Sequence, residues 1–417
     1  MRIAMIGTRG VPARYGGFET AVEEIGQRLA TAGHDVTIYC RAVDDREPST
    51  FLGMHRVVLP ALRRKSLETL SHTAVSALHT WRQPRFDVVF LFNAANAPFI
   101  PFLRRRRTPI AVHVDGLESR RGKWGGIGRR YYRFVEALSA RWADALIADA
   151  SAIGQYFGDE FGATTETIAY GAPTIDDLGV EGLDDLELEP GRFHVVVARF
   201  EAENHVDVIV RGFRASDARL PLVVVGGAPY APGYVAEVHE AAGADDRIRF
   251  VGPVWDQGLL DRLYHHAVTY IHGHSVGGTN PSLLRAMGAG TAVLAYDVLF
   301  AREVLGDTGQ YFGNEASLAR LIEEAESDPD GMRRLGMAAR ERVAARYRWD
   351  DVALEYERLA DRLNSGSSRR REVSGGRRPG SPWNDGALPM TATPEVSSAI
   401  DPDRYDDGRE QFGGGAR

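Results

Sequence analysis

The sequence has very little cysteine: one residue, Cys40, in a chain of 417. A single thiol excludes an internal disulfide, so the folded chain must be held by packing and hydrogen bonds. Cys40 ends an apolar stretch that begins after Asp35, and this position predicts a buried core residue rather than a reactive thiol. The scarcity of cysteine fits a reducing compartment.

Long apolar runs are also absent. No stretch approaches the roughly 18 to 20 apolar residues that a membrane-spanning helix needs. The most apolar region, residues 91–103, is interrupted by two asparagines and two prolines. The segment Met1–Gly7 is too short for a signal peptide. We therefore expect a cytoplasmic protein, with peripheral contact at the inner face of the membrane left open.

An excess of positive charge is missing as well, since the formal net charge is −7 at pH 7. With no recognisable nucleic-acid-binding motif, this balance argues against a nucleic acid partner. One region differs: residues 104–133 hold ten Lys or Arg and two Asp or Glu, with Trp124, Tyr131 and Tyr132 among them. Such a stretch fits anionic lipid headgroups or an anionic acceptor. A basic surface that is merely solvated is the alternative.

The chain is too long for one compact core, so we expect two domains. Apolar runs typical of buried strands alternate with segments of helical spacing in both halves, which predicts α/β domains with parallel sheets. We place an N-terminal domain at 1–173, a linker at 174–191 and a second domain at 192–345. A helix at 346–364 and a disordered tail at 365–417 follow.

The most informative stretch is Gly273–Gly288. An apolar run ending at Ile271 predicts a parallel strand, a glycine-rich turn follows, and Pro281 suits the first position of a helix. Free N–H groups at such a helix start form an anion site, because glycines let a ligand approach the backbone. An ordinary turn that needs glycine only for its backbone is the alternative. The candidate binding residues are Gly277, Gly278, Thr279 and Asn280, and the last two are also cap candidates.

The first strand, Arg2–Ile6, leads into a second glycine-rich loop. This loop lacks the G-x-G-x-x-G fingerprint of dinucleotide-binding proteins and is too long for that turn. Arg9 and Arg14 suggest contacts with a phosphate or another acidic group, with solvated surface arginines as the alternative. Gly16 and Gly17 end the loop where the next helix begins.

Several polar residues follow other predicted strands. Ligands of open α/β sheets bind beyond the carboxyl ends of the strands. These residues are therefore candidates for the wall of a site, although each could also serve a loop, a cap or an ion pair. Asp149 is instead expected to cap the helix that follows its strand. The strand-end candidates are Asn93, Asn96, His113, Asp115 and Glu118 in the first half and Arg199 in the second.

Motifs in both halves resemble those of one family. The first half has Gly7-Thr-Arg-Gly-Val-Pro12, Tyr15-Gly-Gly-Phe-Glu-Thr20 and Val114-Asp-Gly-Leu-Glu118. The second half has Ala198-Arg-Phe-Glu-Ala-Glu-Asn204 and Gly277-Gly-Thr-Asn-Pro-Ser-Leu-Leu284. In this order, over about residues 1–363, they resemble a bacterial group within glycosyltransferase family four. The group includes rhamnosyltransferases and other enzymes of surface-polysaccharide assembly.

The resemblance implies a GT-B fold, in which two Rossmann-like domains face each other across a cleft. It also implies a nucleoside-diphosphate sugar held mainly by the second domain and a glycan or lipid-linked acceptor held by the first. A hexosyl or rhamnosyl unit would be transferred with retention of configuration at the anomeric carbon. No metal and no other cofactor is expected.

On this resemblance, Arg199 and the glycine-loop amides would stabilise the negative charge that builds on the leaving diphosphate. Gly16 and Gly17 would close from the opposite domain. Asp115 or His113 would lie near the acceptor hydroxyl and the reacting sugar carbon, and we favour Asp115. The acceptor side would include Arg9, Arg14, Asn93, Asn96 and Glu118.

The chain departs from the family pattern at the donor. Many relatives carry two glutamates eight positions apart, and these positions hold Gly277 and Arg285 here. Asn204 replaces the basic residue that often follows the arginine by five positions. Arginine cannot accept hydrogen bonds from ribose hydroxyls. Arg285 therefore keeps a second hypothesis open, a catalytically impaired binding or assembly partner. A third hypothesis, a nicotinamide-dependent oxidoreductase, lacks the dinucleotide fingerprint.

Overall fold

A computed structural model describes residues 1–13, 16–42, 48–62, 67–114, 116, 126–176, 178–228 and 231–371. Within these ranges the chain forms two sheets, one from residues before 168 and one from residues after 193. Helices follow most strands in both halves. The predicted architecture of two α/β domains with parallel sheets is confirmed.

The strands of the first sheet are β1 (Arg2–Ile6), β2 (Asp35–Arg41), β3 (Thr50–Phe51), β4 (Met54–Leu59), β5 (Val88–Phe92), β6 (Ile110–Val114), β7 (Ala145–Ala148) and β8 (Glu166–Thr167). Their order is β3-β4-β2-β1-β5-β6-β7-β8. Every neighbouring pair is parallel except β3 and β4. The central strands are fully buried, which explains their continuous apolar sequences.

The helices of the first domain are α1 (Gly17–Thr31), α2 (Glu68–Thr80), α3 (Ile100–Leu103), α4 (Gly126–Trp142) and α5 (Ser151–Phe161). Helix α1 buries Ala21, Val22, Ile25 and Leu29, the apolar face that the helical spacing predicts. Among the described helices of the chain, none is both long and apolar enough to cross a lipid bilayer.

The second sheet contains β9 (His194–Ala198), β10 (Leu222–Gly226), β11 (Ile248–Gly252), β12 (Thr269–His272), β13 (Ala292–Tyr296) and β14 (Gln310–Phe312). Its order is β11-β10-β9-β12-β13-β14, and all pairs are parallel. Its helices are α6 (Val206–Arg214), α7 (Pro232–Ala242), α8 (Gln257–His266), α9 (Pro281–Gly288), α10 (Leu299–Leu305), α11 (Glu315–Ser327) and α12 (Pro329–Arg346).

Both strand orders reverse direction in the middle of the sheet. In the first sheet the reversal lies between β1 and β5, and in the second it lies between β9 and β12. The loops after these strand pairs diverge at the carboxyl edge and leave a crevice, which is where open α/β sheets bind ligands. The two glycine-rich loops, after β1 and after β12, therefore stand at the two reversal points.

A final helix, α13 (Trp349–Asn364), returns to the first domain. Arg28 on α1 donates from Nε to Asp350 at 2.7 Å, and His34 Nε2 lies 2.8 Å from Glu357 Oε1. The Tyr356 ring packs edge-on against Phe90, with ring centroids 5.0 Å apart. The helix thus covers the first sheet with residues that follow the second domain.

Residues 365–371 of the predicted tail follow α13 along the first domain. Ser368 Oγ donates to Asp144 at 2.6 Å, and the buried Arg369 donates from both terminal nitrogens to Ala140 O. The ordered chain therefore continues past the predicted start of the tail. Residues 372–417 lie outside the described ranges.

Candidate active site

The loops after β9 and β12 interlock at the reversal point of the second sheet. The backbone N–H of Ser275 donates to Glu203 O at 2.8 Å, and the Ser275 hydroxyl donates to the same oxygen at 3.1 Å. A Cβ at Gly273 would collide with the carbonyl of Asn204, so only glycine fits there. The pairing fixes the loop 273–280 against the loop 199–205.

Arg199 stands at the rim of this pair of loops, at the end of β9. Its side chain is 46% exposed, and its guanidinium lies 3.6 Å from the buried carboxylate of Glu201. The arginine is thus part of an ion pair, as the structural alternative expected. Nearly half of its side chain remains exposed, so an anion could contact it.

Asn204 links the same loop to His274. Its amide nitrogen donates to Arg199 O at 2.7 Å, and its Oδ1 lies 2.6 Å from Nδ1 of His274. Asn204 therefore does not supply the positive charge of the basic residue that often stands at this position in the resembling family. It fixes the backbone at Arg199 and the orientation of a neighbouring imidazole.

The glycine loop after β12 meets the first domain. Gly277 has φ +145°, a backbone region that side chains rarely adopt. A Cβ at Gly278 would collide with the carboxylate of Asp149 at the end of β7, and the Thr279 hydroxyl donates to the Asp149 carbonyl. The loop thus closes the cleft by direct contact between the domains.

Asn280 caps helix α9. Its Oδ1 accepts hydrogen bonds from Ser282 N at 3.0 Å and from Leu283 N at 3.3 Å, and Pro281 occupies the first turn. The predicted cap at Asn280 is confirmed, whereas the cap at Thr279 was wrong because its hydroxyl bonds across the cleft. Because Asn280 already satisfies these first-turn donors, an anion would have to use the loop amides before the helix.

Asp149 does not cap α5, contrary to the prediction. The N-cap is Ala150, and Asp149 is 1% exposed at the domain interface. The start of α5 is instead capped from the second domain: the Glu303 carboxylate accepts from Ser151 N at 2.6 Å and from Ala152 N at 3.3 Å. Neither Asp149 nor Glu303 was placed in the site from the sequence. Their partners lie 130 and 152 residues away, so no local pattern could show them.

Gly17 of the first domain lies against the start of α9. A Cβ there would stand 2.9 Å from Cγ of Pro281 and 3.7 Å from the Tyr170 ring. Gly16 precedes it in an extended conformation as the N-cap of α1. Gly17 therefore approaches the opposite domain as expected, whereas a Cβ on Gly16 would meet Glu19 of its own helix.

The asparagines after β5 serve the loop rather than an open wall. Asn96 is fully buried, and its amide donates to Phe92 O at 2.9 Å and lies 3.5 Å from Gly7 O. Asn93, with φ +71°, accepts from Ala95 N at 2.8 Å and caps the short 3-10 turn Ala94–Phe99. The Asn93 side-chain carbonyl oxygen and the Asn96 amide nitrogen thus bond to the backbone around them, and their place on the acceptor side stays a prediction.

Arg9 is the described arginine of the first glycine loop. Its side chain is 39% exposed and lies 3.7 Å from Glu68, while its backbone N–H donates to Glu19 at 3.0 Å. Arg41 at the end of β2, which the sequence did not single out, bonds the same Glu68 at 3.0 Å. This cluster stands at the cleft edge of the first domain. The other acceptor-side predictions, Arg14 and Glu118, lie outside the described residues, as does the favoured catalytic residue Asp115.

His113 at the end of β6 is buried beneath aromatic rings. Its Nδ1 lies 2.9 Å from the Tyr356 hydroxyl, and the rings of Phe18, Phe92 and Tyr170 pack within 5.7 Å of its centroid. Burial lowers the pKa of His113 to about 3, so the ring is neutral near pH 7. In this conformation His113 joins β6 to α13 and offers no exposed atom to a substrate.

Arg285 is held by an acid from the neighbouring helix. Its guanidinium binds both carboxylate oxygens of Asp261 on α8, with the NH2–Oδ2 bond at 2.7 Å. Both side chains are mostly buried. A bidentate pair satisfies the charge and geometry of the arginine. The ion pair with Asp261 therefore neutralises the charge of Arg285 next to the glycine loop after β12.

The described parts of the basic stretch, residues 104–114 and 126–133, place their arginines in two separate regions. Residues 104–107 precede β6, at the sheet edge opposite the cleft, where Arg104 and Arg105 join Trp81, Phe102 and Trp142 around a pocket of about 570 Å³. Arg129, Arg130 and Arg133 lie along α4. The solvent-facing side of this helix carries Ile127, Arg130, Phe134 and Arg141.

Two family models match the chain in succession. The model described as "Glycosyl transferase 4-like domain" matches residues 16–171, and the model described as "Glycosyl transferases group 1" matches residues 185–342. Together they span about three quarters of the chain and cover both reversal-point loops of the second sheet.

Among curated proteins, the chain is similar to a phosphatidyl-myo-inositol mannosyltransferase of Mycolicibacterium smegmatis. The two are 28% identical over 395 residues, which is 86% of this chain and 93% of the relative. It is also similar to an alpha-maltose-1-phosphate synthase of the same organism, at 25% identity over 85% of this chain and 97% of the relative.

Among solved structures, sucrose-phosphate synthase from Thermosynechococcus elongatus is similar with a TM-score of 0.75 and 22% identity, covering 88% of this chain and all of that chain. Anabaena HepE in complex with UDP-glucose is similar with a TM-score of 0.68 and 16% identity, again over 88% of this chain and all of that chain. These likenesses establish the fold and leave the substrates undetermined.

Proposed function

Since the chain belongs to the GT-B glycosyltransferases of family 4, and is thus a glycosyltransferase that uses a nucleotide-sugar donor, we propose a more specific activity for it. It moves a hexosyl or rhamnosyl unit from a nucleoside-diphosphate sugar to a glycan or lipid-linked acceptor. The transfer retains the configuration at the anomeric carbon and needs no metal. Its product belongs to cell-surface polysaccharide assembly.

One observation carries this proposal: the glycine loop at the reversal point of the second sheet reaches the first domain. Gly278 abuts Asp149, and Thr279 bonds to the Asp149 backbone. A donor seated on this loop would have its sugar at the boundary between the domains, where an acceptor held by the first domain could reach it. Closure would also exclude water, which otherwise competes as an acceptor.

The charge chemistry supports transfer from a diphosphate. Negative charge builds on the leaving diphosphate as the glycosidic bond breaks, and fixed donors must stabilise it. Arg199 at the rim and the loop amides at 277–280 are such donors. This is the basis for proposing a reaction without a metal.

A lipid-linked acceptor is favoured by two independent features. One relative is named for transfer to phosphatidyl-myo-inositol. The outer side of α4 combines arginines with the exposed Ile127 and Phe134, and the carboxylate of the helix, Glu136, is buried. A cationic surface with apolar side chains suits an anionic membrane surface. We propose peripheral membrane contact through this face.

The first test is thermal unfolding of the full chain with UDP, dTDP, GDP and ADP, with NAD as the control. A ligand at 100 times its dissociation constant adds about 2.7 kcal/mol to the free energy of unfolding. For domains of this size that corresponds to a shift of a few degrees. A shift with one nucleoside diphosphate names the donor class, and no shift with any of them contradicts the proposal.

The stereochemistry and the metal requirement need a second measurement. With the donor identified, proton NMR of the first product formed distinguishes an axial from an equatorial glycosidic bond. We expect the configuration of the donor to be retained. The transfer rate should not change when EDTA is added to chelate divalent cations. An inverted product or a rate abolished by EDTA would refute the corresponding part of the proposal.

The second candidate, a catalytically impaired binding partner, is motivated by Arg285. Its ion pair with Asp261 shows how the arginine is accommodated, but it leaves no carboxylate at that position. Measurable sugar transfer that is lost in Arg199→Ala would exclude this candidate. Nucleotide binding with no transfer to any acceptor would favour it.

A further inference from the structure

The imidazole of His274 lies in the glycine loop 273–280, and the reaction proposed above gives it no role. We propose that His274, oriented by Asn204, binds the diphosphate of the donor through a hydrogen bond from Nε2. His274 would thus be a donor-binding residue and Asn204 a positioning residue. This inference rests on the proposed function, because it needs a nucleoside-diphosphate sugar in the cleft.

The hydrogen bonds define which imidazole nitrogen carries a proton. Asn204 uses its amide N–H as the donor to Arg199 O, so its Oδ1 is the atom that faces His274. An amide oxygen only accepts, so Nδ1 of His274 must be the protonated nitrogen in the 2.6 Å contact. The ring is thereby locked in one orientation, with Nε2 turned away from Asn204.

The second nitrogen is directed at the glycine loop. A Cβ built on Gly277 would lie 2.8 Å from Nε2 of His274, the nearest atom to that position. With φ +145° at Gly277, the backbone itself also disfavours any side chain there. The imidazole thus occupies the space beside the backbone of Gly277, one of the loop residues to which the proposed function assigns the diphosphate.

The same contact gives meaning to two departures from the family pattern. Gly277 has no side chain where many members of the resembling family carry a glutamate, and Asn204 is neutral where a basic residue often stands. In this chain one imidazole fills the first space and is held by the second residue. Restoring a side chain at 277 would displace His274, so the three residues form one arrangement.

The bond to phosphate requires the imidazolium, because Nδ1 already donates to Asn204 and Nε2 must donate as well. A charge-assisted bond of this kind is stronger than a neutral one. Binding of the donor should therefore favour the protonated ring and weaken as the pH rises. Among the described residues, the other charged and titratable groups on the surrounding elements include Arg199, Glu201, Glu203 and His205 after β9, His272 on β12, Arg285 on α9, and Asp149 after β7.

The test is calorimetric titration of the full-length protein with the nucleoside diphosphate identified above, and with the matching nucleoside monophosphate. We expect His274→Ala to weaken binding of the nucleoside diphosphate by about 10- to 100-fold, the range for a hydrogen bond to a charged group. Binding of the monophosphate should weaken less. His274→Gln, which keeps an N–H donor, should lose less than His274→Ala. His55→Ala, at an exposed histidine of the first domain, is the matched control.

The positioning role of Asn204 is tested by rescue. Asn204→Asp keeps an acceptor for Nδ1 and should retain more affinity than Asn204→Ala. Titration with the nucleotide sugar, whose phosphates do not ionise near neutral pH, should show affinity that falls as the pH rises in the wild type and a flatter profile in His274→Gln.

The outcomes separate the two proposals. If the wild type binds no nucleoside diphosphate, the proposed function and this contact fail together. If the wild type binds and His274→Ala binds equally well, only the contact is refuted. A loss seen with the nucleotide sugar alone would place His274 at the sugar and also overturn the assignment to the diphosphate.

Discussion

The two glycine-rich loops occupy equivalent places in the two domains but differ in which residues they contact. In the first domain the loop after β1 is fastened from within, since Asn96 is fully buried and bonds Phe92 and approaches Gly7. In the second domain the loop after β12 turns its glycines and Thr279 toward the other domain. The same topology has thus produced a scaffold loop after β1, which meets the second domain at its last residue, Gly17, and a contact loop after β12, which meets the first domain through Gly278 and Thr279.

This difference shows that a strand-end position alone does not identify a functional residue. Asn96 and Arg199 both follow central strands at reversal points, yet one is sealed in the core and the other is half exposed. The two residues differ in whether nearby backbone atoms depend on the side chain for a hydrogen bond. The buried carbonyls around Asn96 need its amide, because an unpaired buried acceptor is costly.

Removal of the rim cation should have the largest effect on activity. Arg199→Ala deletes a group that would stabilise the leaving diphosphate, so we expect sugar transfer to slow by about 100- to 1000-fold. The steady-state rate with the identified donor is the measurement. Arg192→Ala, at an exposed arginine in the same domain, should leave the rate unchanged. An unchanged rate in Arg199→Ala would mean that the contact loop binds the donor without this residue.

Adding a single methyl group to the contact loop should lower the rate of sugar transfer nearly as much as Arg199→Ala does. Gly278→Ala places a Cβ against the Asp149 carboxylate, so the domains cannot reach this closed contact. We expect transfer to fall by about 100-fold through misplacement of the reacting groups. Gly227→Ala is the matched control, because a Cβ there meets no atom within 4 Å. Because the clash is relieved when the cleft opens, the thermal midpoint should move little, and a large drop would show instead that the substitution unfolds the domain.

Asn96, on the segment after β5 that supports the scaffold loop, should affect stability rather than activity. Asn96→Ala leaves the Phe92 carbonyl without its buried donor, and we expect the free energy of unfolding to fall by about 1 to 3 kcal/mol. Nucleotide affinity should stay the same, as measured by titration of the folded variant. The exposed Asn364→Ala serves as the control for stability. Weaker nucleotide binding in folded Asn96→Ala would remove the distinction between the two loops.

The smallest effect is expected at the cap that joins the domains. Glu303→Gln removes the negative charge at the start of α5 while keeping an oxygen acceptor. A charge at a helix N-terminus contributes about 0.3 to 1 kcal/mol, so the thermal midpoint should fall by a few degrees at most. Glu324→Gln on exposed α11 should have no effect. A stability gain in Glu303→Gln would show that the carboxylate is strained rather than stabilising.

Local features were predictable from the sequence because their causes are local. The apolar face of α1, the strand that leads into the contact loop, and the cap at Asn280 each follow from spacing or from residue types within a few positions. The approach of Gly17 to Pro281 was anticipated only through the family resemblance. These elements define the fold and the place of the site.

The remaining features depend on pairs of residues that are far apart in the chain. Asp149 was predicted to cap a helix because the residues around it in the sequence favour a cap. Its contact with Gly278 depends instead on how the two domains pack together. Arg285 looked disruptive until Asp261 on another helix was seen to bind it. His274 carried no signal beyond its place in the loop, because its role depends on the orientation of Asn204.

The return of α13 to the first domain has a consequence for how the protein is made. Tyr356 is fully buried against Phe90 and bonds to His113, so the first domain is completed by residues near the end of the chain. During synthesis this domain leaves the ribosome with that surface uncovered, and it must wait for the whole second domain before it is sealed. The nascent first half would thus depend on chaperones more than its compact sheet suggests.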